Sequence, residues 1–359
     1  MENNIEQLLR QAVSAGATDL HLKVGSAPVA RIGGELERLD GYPDLTPADT
    51  QAYAEALFTS GAASDFRETG AADFAFGRQD VGRFRVTAFR QRGSVSVVLR
   101  RVMPGSRSFA DLGLPRITEK LAQSGSGLLL VTGPSGSGKT TTVASILDWI
   151  NANRAVSILT VEDPIEVLHP DKRSVVVQRE VGVDTPSAAE AIRGALRHDT
   201  DVIVISEIDD ADTARAAISA AETGRLVISS MRTNDPADTI HRIVAAFPEP
   251  QQNVVRGQLA AQLLAVVSQR LLDNQARGKT LACEVMTSNE RVQEWIKGGA
   301  EPSVLLDIIK ESEFFGMQTF DQSLLRLVLD KSVDLPSAIP YSRNVHEMRA
   351  KAMAAGIQI

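Results

Sequence analysis

The chain has 359 residues, of which 43% are apolar and only 4% aromatic, with one cysteine and a formal net charge of −7. That length implies two or three domains with aliphatic cores. The acidic balance argues against a general nucleic-acid binder, and the lone Cys283 excludes an internal disulfide or a multi-cysteine zinc site. No apolar run is long enough to cross a bilayer, and the start, Met1-Glu-Asn-Asn-Ile-Glu, is polar and partly acidic, unlike a signal peptide. A cytoplasmic protein is expected, with a peripheral place on a membrane machine left open.

Residues 5–13 carry Ile5, Leu8, Leu9, Ala12 and Val13 at helical spacing, and Gly16 ends that helix. Asp19-Leu-His-Leu-Lys-Val24 alternates as a half-buried strand does. Residues 29–32 and 34–39 read as a hairpin around Gly33-Gly34. Thr46-Pro47-Ala-Asp49 is a cap-like start for a helix over 52–58. Segments 73–76, 82–89 and 94–101 are strand-like. Residues 1–101 are therefore expected to form a small α+β domain with an antiparallel sheet. Met103-Pro104-Gly105 predicts a turn-forming linker, drawn over 102–111.

From residue 112 the pattern changes. Short apolar strands at 128–132, 157–161, 202–205 and 226–230 alternate with helices, as in a mainly parallel sheet covered on both faces. The first strand leads into Gly133-Pro134-Ser135-Gly136-Ser137-Gly138-Lys139-Thr140, which matches the phosphate-loop pattern G-x-x-x-x-G-K-[ST]. A helix over 141–150 follows, with Val143, Ile146, Leu147 and Ile150 on one face. Strand, glycine loop and helix are the context the motif needs. Backbone N–H groups and the helix N-terminus would face phosphate oxygens, with Thr141 in the same first turn. Lys139 would place a charge on the β- and γ-phosphates, and the Thr140 hydroxyl would ligate Mg²⁺. A nucleoside triphosphate site is expected here.

Two later strands end in acids. Thr160-Val-Glu162-Asp163-Pro-Ile-Glu166 follows strand 157–161, where the carboxyl ends of parallel strands face a ligand crevice. A carboxylate there can orient and deprotonate water. Asp201-Val-Ile-Val-Ile-Ser206-Glu207 has the form of the second NTPase motif, with Ser206 where Asp is usual. Glu207 is then left to support Mg²⁺ alone, through a metal-bound water. Beyond Pro248 the chain reads as helical, at 254–272, 290–297, 302–311 and 319–329. From Tyr341 it reads as a loose helix or tail. His198, His241, Trp149, Trp295 and Cys283 read as packing or surface residues.

Together these motifs resemble the type IV pilus retraction ATPases, the PilT and PilU group of the secretion-ATPase superfamily. The resemblance covers nearly the whole chain. It rests on Asp19-Leu-His-Leu, Val161-Glu-Asp-Pro-Ile-Glu166, Ser206-Glu207, Ala220-Ala-Glu-Thr-Gly224 and Gly316-Met-Gln-Thr-Phe-Asp-Gln-Ser323. It implies a PAS-like N-terminal domain, a RecA-like ATPase domain over 112–359, and a homohexamer with ATP between the domains of neighbouring subunits. It also implies Glu162 as catalytic base and Glu207 as the Mg²⁺-side carboxylate. Arg83, Arg85 and Arg100 become candidates to reach the triphosphate. Arginine suits that task because it stays charged and offers a planar donor fork. An inner-membrane pilus platform protein is the implied partner, with a paralogous pilus ATPase as a further one.

The sequence departs from the family in its histidine box. Where the family pattern resembles T-G-H-L-V…L-H-T, this chain has Thr223-Gly-Arg225-Leu-Val and Met231-Arg232-Thr233. Arginine cannot relay a proton as a neutral histidine can, but it can hold a γ-phosphate. Arg225 and Arg232 are thus expected as substitute phosphate sensors or additional charge clamps. The family's E-M-R-D is here Glu207-Ile-Asp209-Asp210, and its A-I-R-N-L-I-R aligns with Arg291-Val-Gln-Glu-Trp-Ile-Lys297. The leading reading is an ATP-driven retraction motor for twitching motility. The alternative is a nucleotide-binding accessory subunit with weak or no turnover. The absence of an N-K-x-D guanine motif weighs against a signalling GTPase.

Overall fold

The computed structural model describes residues 5–274 and 278–357. The polar start at 1–4 lies outside the described residues, as does the end of the expected tail at 358–359. The chain divides into two compact units. One comprises Met1–Pro104 and Glu166–Leu168, the other Gly105–Ile165 and His169–Ile359.

The first unit is built on an antiparallel sheet. Its strands are β1 (Asp19–Leu22), β2 (Val29–Ile32), β3 (Glu35–Arg38), β4 (Ala71–Arg78), β5 (Gly82–Gln91) and β6 (Ser94–Pro104), in the order β3-β2-β1-β6-β5-β4. Period-2 alternation sends Leu20, Leu22, Phe84, Val86, Val97 and Leu99 into a core with Leu8 and Leu9 of helix Ile5–Ser14. Helix Pro47–Leu57 starts at Thr46, which forms a capping box with Asp49 and so satisfies otherwise orphaned first-turn N–H groups. A further helix, Ser60–Thr69, had no clear apolar periodicity to announce it; only Ala62 and Phe66 are buried.

The expected linker needs correction. β6 runs on to Pro104: Val102 still pairs with Arg83 of β5, and Met103 and Pro104 pair with Val167 and Leu168. Val167–Leu168 adds to the end of β6 as a short parallel strand, β9.

The second unit holds a sheet of β7 (Gly127–Thr132), β8 (Ser157–Glu162), β10 (Val175–Glu180), β11 (Val202–Ile205), β12 (Leu226–Met231), β13 (Leu263–Asn274) and β14 (Gly278–Thr287). The order is β10-β8-β11-β12-β7-β13-β14, parallel except for β14. β7, β11 and β12 are buried at every residue. Leu128, Leu130, Ile203 and Val227 feed one core; Leu129, Val131, Val204 and Ile228 feed the other, against helix Lys139–Asn153. Continuous apolar runs are what a sheet covered on both faces requires.

A second correction concerns the helix expected over 254–272. Helix Glu249–Gln262 stops at Gln262, and Leu263–Asn274 is strand β13. β13 is hydrogen-bonded to β7 on one side and β14 on the other, and most of its residues on both faces are buried. A strand buried on both faces has no alternation and reads like a buried helix. The end of the chain is also more tightly packed than expected. Met348 and Ala352 of helix Val345–Ala354 are buried in a cluster with Phe320, Leu324 and Leu335.

Candidate functional site

Four parallel strands of the second unit bring their carboxyl ends to one edge. β7 runs into Gly133, β8 ends at Glu162, β11 runs into Ser206-Glu207 and β12 into Arg232. Backbone bonds knit these ends together: Gly133 N–H to Met231 O (3.3 Å), Ser206 N–H to Val161 O (2.9 Å) and Ile208 N–H to Ser230 O (2.9 Å). Ligands of open α/β sheets bind outside this edge.

The loop 133–138 is held from beneath. A Cβ at Gly133 would collide with the Gln269 carbonyl and the Ser137 hydroxyl, so only glycine fits there. The Gln269 amide donates to Ser137 O (2.8 Å), and the Thr132 and Ser268 hydroxyls are 2.7 Å apart, so β13 clamps the loop to the sheet. The Ser137 hydroxyl itself is buried and has no hydrogen-bond partner, an orphaned polar atom inside the cradle. The helix begins at Lys139, two residues before its expected start. Lys139 folds back and donates to the carbonyls of Gly133 (2.9 Å) and Pro134 (3.1 Å). Burial holds its ammonium below the usual lysine range, the charge of Arg232 adds to that, and Glu207 opposes it. Thr140 and Thr141 are exposed in the first turn.

Glu162 closes β8 with its carboxylate held by neighbours. Thr160 donates its hydroxyl to Oε1 at 2.6 Å, and the Gln178 amide donates to the same oxygen at 2.8 Å. Glu207 pairs with Arg232 across 2.9 Å. A cleft of about 580 Å³ opens beside this pair, lined also by Asp163, Arg193, Asp209 and Thr213.

Arg225 requires correction as a site residue. It precedes β12, beside the start of β7, where its carbonyl accepts from Gly127 N–H. Its guanidinium donates to the carbonyls of Thr223 (3.1 Å) and Leu196 (3.3 Å). At strand rise it lies roughly 20 Å from Arg232, on the edge opposite the phosphate loop.

In the first unit, Arg100 faces Arg85 across the β5–β6 ladder and Asp19 across the β1–β6 ladder, and Asp19 faces Arg31. One row thus reads Arg31-Asp19-Arg100-Arg85, with Arg83 two residues from Arg85 and so on the same face. Arg100 donates to Asp19 at 2.8 Å. Burial opposes ionisation of Asp19, but hydrogen bonds from Arg100 and Thr18 outweigh it and hold the carboxyl below its usual range.

Sequence reasoning missed Gln178 and Gln269, because β10 and β13 were not read as strands. The run Ala265-Val-Val-Ser-Gln269, with its β-branched pair, was the available signal. The bland readings agree with the packing. Trp295 is buried and donates to Glu301 O (3.0 Å), and burial pushes the Cys283 thiol up to about 12.

The profile of the Type II/IV secretion system protein family matches residues 74–306. The chain belongs to this family. Within it the chain is 37% identical to the type IV pilus retraction ATPase PilT of Pseudomonas aeruginosa, over 90% of this chain and 94% of PilT. It is 33% identical to the type IV pilus ATPase PilU of the same organism, over 96% of this chain and 90% of PilU. A crystal structure of the pilus retraction motor PilT with bound ADP superposes with a TM-score of 0.86 at 41% identity, covering 97% of this chain and 99% of that one. The expected likeness to the PilT and PilU group therefore holds over nine-tenths or more of this secretion-family member.

Proposed function

We propose that this family member is an ATPase that works as a homohexamer to power type IV pilus retraction and twitching motility. The carrying observation is the single sheet edge at which the phosphate loop, Glu162 and Glu207 meet, in a chain 37% identical to PilT. In this reading a PAS-like N-terminal domain and a RecA-like ATPase domain join near Gly105. ATP lies on the loop 133–138, Lys139 leaves its loop carbonyls for phosphate oxygens, and Glu162 accepts a proton from water. Arg83, Arg85 and Arg100 reach the triphosphate across a subunit boundary. The motor sits at the cytoplasmic face of the inner membrane and acts on a platform protein. Among the described residues no helix is long and apolar enough to cross a membrane.

The donor set fits Mg²⁺. Among the described residues no three His, Cys, Asp or Glu side chains form a metal cage. Mg²⁺ commonly takes its ligands from phosphates, waters and one or two protein oxygens. Thr140 would supply the hydroxyl and Glu207 would hold a metal-bound water. When bound, Mg²⁺ would neutralise charge on the β- and γ-phosphates.

Phosphate release by the purified protein tests the reading. Turnover that depends on Lys139 supports it. The accessory-subunit reading draws on the Arg232–Glu207 pair, which occupies a catalytic carboxylate; ATP binding with turnover at background would favour it.

A further inference from the structure

The loop after β12 has a fixed backbone and a largely exposed side chain, Arg232. Arg242 donates to the Arg232 carbonyl (3.1 Å), Asn234 N–H donates to Asp238 (2.8 Å), and the buried Thr233 and Thr239 hydroxyls meet at 2.6 Å. Yet the Arg232 side chain is 63% exposed, while that of Glu207, its ion-pair partner, is 24% exposed. A guanidinium on so firm a base can swing without disturbing the fold.

Its position sets up a conflict. The Arg232 guanidinium lies on Oε2 of Glu207, the carboxylate assigned above to the metal's water. A hydrated Mg²⁺ and a guanidinium on one carboxylate are like charges only a few ångströms apart and repel. Arg232 also adds to the repulsion felt by Lys139. A neutral imidazole at this position would oppose neither cation.

We propose that Arg232 is a metal-competing latch, which occupies Glu207 in the nucleotide-free site and must leave it before Mg²⁺–nucleotide can be held. The inference rests on the assignment of Glu207 given above. Its consequence is selective. Nucleotide without metal binds the loop with the latch closed; nucleotide with Mg²⁺ must open it. The substitution therefore raises the Mg²⁺ requirement of the site without touching the phosphate loop.

The test is a Mg²⁺ titration of fluorescent ADP binding to the full-length protein, for wild type, R232Q, E207Q and the double variant. R232Q is expected to lower the half-saturating Mg²⁺ concentration about two- to fivefold, the scale of a partly exposed ion pair. In the E207Q background the same change should have no effect. The gap between wild type and R232Q should narrow as ionic strength rises. Equal Mg²⁺ requirements in wild type and R232Q would overturn the latch, as would a shift that survives undiminished in E207Q. Failure of the wild type to bind nucleotide with or without Mg²⁺ is a separate result, and it would overturn the ATPase reading itself.

Discussion

Strand β12 runs into Arg232, against Glu207, at one edge of its sheet, and begins beside Arg225, folded onto the Thr223 and Leu196 carbonyls, at the other. Both arginines fall in the segments read from the sequence as one altered histidine box. In space they belong to different regions. A parallel sheet points every strand the same way, so one edge gathers the loops that can meet a ligand and the other gathers turns that hold the layers together. Arg232 inherits an electrostatic problem from its neighbours. Arg225 inherits a capping task, satisfying carbonyls at the end of helix Ala211–Glu222 and in the turn after Ala195.

The sharpest way to test this contrast is at the phosphate loop. K139A should reduce phosphate release by about 100-fold or more, since it removes a preorganised charge aimed at the phosphates. Thermal unfolding should barely change. E162Q comes next. It should slow hydrolysis by about 100-fold, the low end of the range for a general base, while fluorescent ATP still binds. Hydrolysis at the wild-type rate would remove Glu162 from the role of base. R225A should do the reverse of both. It should cost about 1 kcal/mol of stability in a denaturant titration through its lost carbonyl bonds, and leave turnover per folded molecule intact. A loss of turnover at full stability would place Arg225 at the working edge after all. The smallest effect is expected at Cys283. Burial keeps its thiol protonated, with a pKa pushed up to about 12, so a thiol reagent should leave the folded protein unlabelled at mildly alkaline pH. Labelling should appear only on unfolding.

Much of the working edge was legible because its motifs are local. Gly133 to Thr140, Glu162 and Glu207 each sit at the end of an apolar run, and the rule that such ends converge did the rest. The Arg232–Glu207 pair was not legible, because it depends on β11 and β12 lying side by side in a particular register. The two ends of β12 could not be told apart for the same reason. β13 was hidden by its burial on both faces, and with it went Gln269, the residue that clamps the loop. In the first unit, the alternation of β1, β5 and β6 was readable, but not the register that lines up Arg31, Asp19, Arg100 and Arg85.

The segment Gly316–Ser323 shows a different limit. It was recognised as a family signature without a reason for it. Its residues are joints. Thr319 and Gln322 form a capping box, Phe320 N–H donates to Glu284 (3.0 Å), and Ser323 accepts from Cys283 N–H (3.1 Å). Arg343 then reaches the same Glu284 at 2.7 Å and Asp235 at 3.1 Å.

β13 and β14 have a mechanical consequence. Their ladder runs from Ala265–Thr287 to Asn274–Gly278, and β13 also grips β7 just before the phosphate loop. A pull along these strands loads the hydrogen bonds together in shear instead of unzipping them one by one. The C-terminal helices are fastened to β14 through Glu284 and Cys283. Tension applied to those helices would therefore arrive at the nucleotide cradle as a displacement of a stiff plate, with little of it absorbed on the way.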